Sequence, residues 1–144
     1  AVAAVAGTRF LASNESRAHD GYKQALTAAQ ETILTDLFGF GWPARHRVIA
    51  NEATRRRLGD GGRTPPVIAA LNRISGLGTR YVPARVRARL AAAQRPGGRL
   101  LTPLPATDDG AESLLEAGPL YAGETVARID RIRAAGELVA ELTP

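Results

Sequence analysis

Val2-Ala3-Ala4-Val5-Ala6-Gly7-Thr8 is a run of small, apolar, β-compatible residues that ends at a glycine. This is the pattern of a strand buried on both faces of a parallel sheet. Such a strand cannot stand alone, because its N–H and C=O groups need ladder partners. The other β-compatible stretches, Thr32–Thr35 and Arg47–Ile49, are short and suit at most a small extended pair. The expectation is an orphan strand in a mainly helical chain, with unpaired backbone groups and an exposed apolar helix face. With no methionine, the sequence is also expected to be a fragment or a processed product.

At 144 residues and 44% hydrophobic content, the chain can build a core of ordinary domain size. The absence of cysteine excludes disulfides and thiolate metal sites, and the only histidines, His19 and His46, are too isolated for a histidine-rich site. A reducing cytoplasm fits this usage. The opening apolar run is too short to span a bilayer and carries no basic leader, so a soluble protein is expected. Cations outnumber acids 19 to 14 for a net charge of +5, and Lys23 is the sole lysine. The arginines form short groups, Arg45/Arg47, Arg55 to Arg57 and Arg85/Arg87/Arg89, with few aromatics between them to stack on bases. They read as solvated helix faces, and nucleic acid is not the favoured partner.

After the strand, Asn14 offers a cap for a helix whose face holds Ala18, Tyr22, Ala25, Leu26 and Ala29. Phe38-Gly39-Phe40-Gly41-Trp42-Pro43 is incompatible with regular helix. Asn51 is a cap for a helix over Glu52 to Leu58 that Gly59 stops, and Gly59 to Pro66 is loop. Pro65 and Pro66 start a helix through Val67 to Ile74, Gly76 and Gly78 interrupt it, and Pro83 starts another to about Gln94. Arg95 to Pro105 is loop, and Asp108 or Asp109 is expected to cap a short helix ending near Gly118. The final segment, Glu124 to Leu142, carries Val126, Ile129, Ile132, Val139 and Leu142 as an expected buried stripe, broken near Gly136.

Chemistry is suggested at Gly7-Thr8. Glycine lets backbone approach an anion closely, the threonine hydroxyl adds a donor, and the amides of a following helix start favour negative charge. Each charge-assisted bond contributes about 1.5–3 kcal/mol, so a few can anchor a cofactor's phosphate. Plain turn chemistry is the competing reading of the same two residues.

A longer string shifts the balance between them. Gly7-Thr8-Arg9-Phe10-Leu11-Ala12, Glu15-Ser16, Ala18-His19, Tyr22-Lys23, Leu26, Thr32, Leu34-Thr35, Phe38-Gly39, Gly41-Trp42-Pro43, Arg47-Val48 and Asn51 together resemble the segment after the last barrel strand of nitronate monooxygenases. Pro119-Leu120-Tyr121-Ala122-Gly123-Glu124-Thr125-Val126, with Ile129, Ile132 and Ala134-Ala135-Gly136-Glu137-Leu138-Val139, is similar to that family's closing helices. The departures are Ala134-Ala135-Gly136, where the family usually has a proline near the start of its final helix, and Ala127, where it has a glycine.

The resemblance implies an α/β chain forming the C-terminal part of an FMN-binding TIM (β/α)8 barrel. In that arrangement residues 1–58 hold the last strand, its helix and the aromatic loop, 59–116 an irregular helical insertion, and 117–144 the closing helices. It implies oxidation of alkyl nitronates by molecular oxygen, with FMN performing the redox step. By the same resemblance Val5, Ala6, Gly7 and Thr8 hold the FMN phosphate. The family's catalytic histidine lies upstream of this segment, and neither His19 nor His46 matches it. Two alternatives stay open: a related flavin barrel that reduces enoyl thioesters or quinones with NAD(P)H, and a non-catalytic basic helical module that binds a partner or nucleic acid.

Overall fold

The computed structural model describes residues 6–78 and 81–142, so Val2 to Val5 of the expected strand lie outside the described residues. The strand reading fails at its far end. Gly7 and Thr8 are already helical, in α1 (Gly7–Leu11). Phe10 N–H donates to the Ala6 carbonyl at 3.1 Å and Ala12 N–H to that of Thr8 at 3.2 Å, which closes helical turns where extended backbone was expected.

Helix α2 (Asp20–Ala28) starts six residues after the expected cap. His19 caps it instead, with Nδ1 accepting from Gly21 N–H at 3.0 Å. Asn14 is drawn away by tertiary pairing, its N–H donating to the Arg133 carbonyl at 3.0 Å. The apolar face nevertheless packs as its spacing suggests. Ala18, Tyr22, Leu26 and Ala29 join Ala12, Ile49, Leu120, Ala122, Val126 and Ile129 in one buried cluster, with Ala25 against its edge.

β1 (Ile33–Thr35) and β2 (His46–Val48) form the expected extended pair, antiparallel with Ile33 opposite Val48 and Thr35 opposite His46. The loop between them turns through Gly41 at φ +86°, a conformation glycine adopts without Cβ strain. β2 has a second neighbour: Ala122 N–H donates to the Arg47 carbonyl at 3.1 Å and Ile49 N–H to that of Leu120 at 2.8 Å. This seam, with Tyr121 opposite Val48, sews the end of the chain to its middle.

Helix α3 (Glu52–Arg57) begins at Asn51 as expected, through a reciprocal capping arrangement with Thr54. α4 (Pro66–Ser75) opens on its proline. α5 (Ala84–Ala92) follows Pro83. Ile68 of α4 and Leu101 share a second cluster with Leu37, Phe38, Val48 and Ala53, while Ala91 of α5 packs with Ala106 and Leu114 in a third.

α6 (Leu114–Ala117) ends before Gly118 as expected, but neither Asp108 nor Asp109 caps it. Both carboxylates pair with Arg17, at 3.3 and 2.7 Å. The last segment is not a helix broken near Gly136. A single 3-10 turn spans Val126–Arg128, residues 129–134 are non-helical, and Gly136 lies inside α7 (Ala135–Leu142). Val126 and Ile129 are buried as expected, whereas Val139 and Leu142 are about half exposed and Leu138 takes the buried position on α7. The bridge from Ser13 to Arg133 sets α7's phase, which periodicity alone does not.

Apolar side chains are exposed on and around α4 and α5, among them Val67, Ile74, Leu77, Val86 and Leu90, in line with the expected uncovered helix face. No helix among the described residues is long and apolar enough to cross a membrane.

Candidate functional site

Of the four expected phosphate-holding residues, Val5 lies outside the described residues. Ala6 occupies the cap position of α1, half-buried, and has no side-chain oxygen to bond the helix's leading amides. An α-helix leaves those amides without intrahelical acceptors, and no side chain caps them here. Gly7 is exposed, with nothing within 4 Å of where a Cβ would stand. With only five residues, α1 offers an anion its N–H groups more than its dipole.

Thr8 is half-buried and its hydroxyl is already oriented. Oγ1 accepts the Gly123 N–H at 2.8 Å, which occupies one lone pair and leaves the hydroxyl hydrogen to be donated elsewhere. A Cβ at Gly123 would stand 3.3 Å from that oxygen, so the glycine keeps the approach close. The bond joins the two stretches on which the family resemblance rests, and spacing in sequence could not have revealed it. Beside it, Arg9 reaches the Arg131 carbonyl at 3.4 Å and Asp130 at 3.9 Å, tying α1 to the segment before α7.

The histidines are engaged differently. The Nδ1 of His19 is occupied as a helix cap. His46 stacks against Trp42 with ring centroids 6.2 Å apart, meets the edge of Tyr121 at 5.5 Å and lies 6.3 Å from Phe38. Both of its ring nitrogens are buried, without a hydrogen-bond partner among the described residues. Burial pulls its pKa below the usual imidazole value, against a weaker opposing pull from Asp36. With both nitrogens buried, the ring is not placed to take a proton from a substrate in solvent. Tyr121, whose phenol burial pushes up to about 12, donates to the Pro103 carbonyl at 2.8 Å and stays protonated. Phe38 is fully buried core, while Trp42 is 58% exposed.

Two surface clefts lie elsewhere. One, of about 450 Å³, sits between Ile33, Arg45, Thr54, Leu58 and Gly62. The other, of about 280 Å³, runs between Phe40, Leu90, Arg95, Arg99 and Leu100. Neither is lined by residues 6–8.

The described residues form a small α/β unit in which the start of α1 is uncapped and is braced by the C-terminal segment through Gly123. The particular family is given by sequence: residues 1–144 match the nitronate monooxygenase family, and the chain belongs to it. That family is one of flavin-dependent TIM-barrel enzymes, and the part of it described here has a two-stranded sheet. No curated protein matches the sequence. Among solved structures the chain is similar to FabK from Thermotoga maritima, at 20% identity and a TM-score of 0.44, over 92% of this chain and 33% of that one. The chain thus spans about a third of the length of the structure it matches.

Proposed function

We propose that this chain is the C-terminal part of an FMN-dependent oxidoreductase that oxidises alkyl nitronates with molecular oxygen, and that Gly7 and Thr8, with Val5 and Ala6, hold the cofactor's phosphate. In this reading residues 1–58 carry the last barrel strand and its helix, 59–116 an insertion, and 117–144 the closing helices. Membership of the family over the whole chain supports the flavin chemistry. The observation that carries the site is the Gly123-to-Thr8 hydrogen bond, which presents an oriented hydroxyl beside the uncapped start of α1.

The residues present fit a phosphate. Open space at Gly7 admits an oxygen against the backbone, and the leading N–H groups of α1 and the Thr8 hydroxyl are donors only an acceptor-rich ligand can use together. Bound FMN supplies the electron acceptor. The chain's own residues would hold its phosphate tail. They do not supply the proton-accepting base, since His19 is a cap and His46 is enclosed.

The test is an FMN titration of the protein carrying this chain, followed by fluorescence. Thr8→Val is expected to weaken binding by about tenfold or more, the loss of one hydrogen bond to a charged group, with Thr8→Ser close to wild type. Gly7→Val is expected to weaken it comparably by filling the approach. Unchanged affinity in both variants, with the fold intact by circular dichroism, refutes the phosphate assignment. If FMN binds but the nitroethane anion supports no oxygen uptake, the nitronate substrate is wrong and the cofactor grip stands.

A further inference from the structure

The charge of this chain is not spread along it. Between Asp60 and Asp108 there is no Asp or Glu, yet residues 61–107 carry eight of the 19 cationic side chains. All 14 acids lie outside, so the remainder is net negative and the excess positive charge belongs to one segment. Arg85, Arg87, Arg89, Arg95 and Arg99 are exposed, and among the described residues none of them pairs with a carboxylate.

The same segment exposes apolar side chains in a concave setting. The cleft between α5 and the loop after it has Phe40, Leu90 and Leu100 as its apolar lining, and Arg95 and Arg99 beside them. Leu90 and Leu100 are 42% and 45% exposed, and Val86, one turn before Leu90 on the same face of α5, is 38% exposed. An apolar floor with an unneutralised arginine rim complements a surface that alternates acidic and apolar side chains at helical spacing. Duplex nucleic acid would meet the arginines but leave the leucines wet. A lipid headgroup plane is flat and would not fill a groove.

We propose that the groove formed by α5 and residues 95–102 is a docking site for an acidic amphipathic helix of a partner protein, with Leu90 and Leu100 taking its apolar side chains and Arg95 and Arg99 its carboxylates. This is independent of the flavin reading.

The test uses the protein carrying this chain and a fluorescein-labelled amphipathic peptide with Leu and Glu at helical spacing, read by anisotropy. The peptide is expected to bind, and to weaken as salt rises from about 0.1 M to about 1 M, where the screening length falls from ~10 Å to ~3 Å. Leu90→Glu and the double variant Arg95→Glu/Arg99→Glu are each expected to lose about tenfold or more in affinity. Arg128→Glu, a charge reversal outside the groove, is expected to alter affinity by less than about twofold. The groove variants replace exposed side chains, and a thermal melt verifies their fold. Absence of binding, equal binding of a Lys-for-Glu peptide, or indifference to the groove variants overturns the proposal. So does tighter binding to phosphatidylglycerol vesicles or duplex DNA than to the peptide, which would assign the arginines to another partner.

Discussion

His46 shows what packing does to a single titratable ring. Its two nitrogens are enclosed by Phe38, Trp42 and Tyr121 and find no acceptor or donor among the described residues, so protonation would bury an unpartnered charge. The folded-state pKa is therefore depressed below 6.5, and the unfolded chain takes up the proton first as pH falls. The stabilisation from keeping this ring neutral is complete above the unfolded value and is lost as pH drops through it toward the folded one. The melting temperature is expected to decline as pH is lowered from neutral into the window below 6.5. His46→Phe is expected to flatten that decline, measured by melts across pH, and an unaltered profile in the variant would exclude His46 as its source. Little of this was legible in the sequence: a histidine after Trp-Pro carries no mark of burial, because one of the three rings that enclose it, that of Tyr121, lies 75 positions away. His19 was equally opaque, since cap signals are read from Asn, Asp, Ser and Thr, and Asn14 supplied one nearby.

At the scale of elements, the sequence was most informative where punctuation is chemical. Pro66 opens α4, Pro83 precedes α5, and Asn51 with Thr54 closes the capping arrangement of α3. Asn51 also does something no local pattern announces: its amide donates to the Leu115 and Gly118 carbonyls at 3.0 and 2.8 Å, locking α6 onto α3. Asn51→Ala removes a buried cap and leaves two carbonyls without this donor. It is expected to cost about 2–4 kcal/mol, more than the ~1 kcal/mol of an exposed cap, as read from denaturant unfolding. A loss no larger than a cap's would mean the α3–α6 lock is inert. Elements were misplaced where distant partners set their limits. α2 begins late because Asn14 pairs with Arg133, and α7 turns Leu138 inward, not Val139, because the bridge at Ser13 orients it.

Across the whole molecule, the order of stability is expected to follow the seam between β2 and residues 120–122. Ile49 and Ala122 amides bond across it, beside the largest buried cluster. In hydrogen exchange these two amides are expected among the slowest, and those of α5, where Ala91 is the only buried residue, among the fastest. Equal protection of both would mean that the chain opens as one unit. The overall shape was the least readable from sequence, since the seam joins residues more than 70 positions apart and leaves no trace in local periodicity.

That seam bears on how a lineage of such proteins can change. Because Arg47 and Ile49 hold Ala122 and Leu120 directly, everything from 50 to 119 is a detour that leaves and returns at one doorway. Lengthening a closed detour is cheap, about 0.6 kcal/mol for each doubling. Descendants can therefore add or trim turns between these helices and still bring Gly123 back to Thr8, leaving the family signature at both margins intact while its interior drifts.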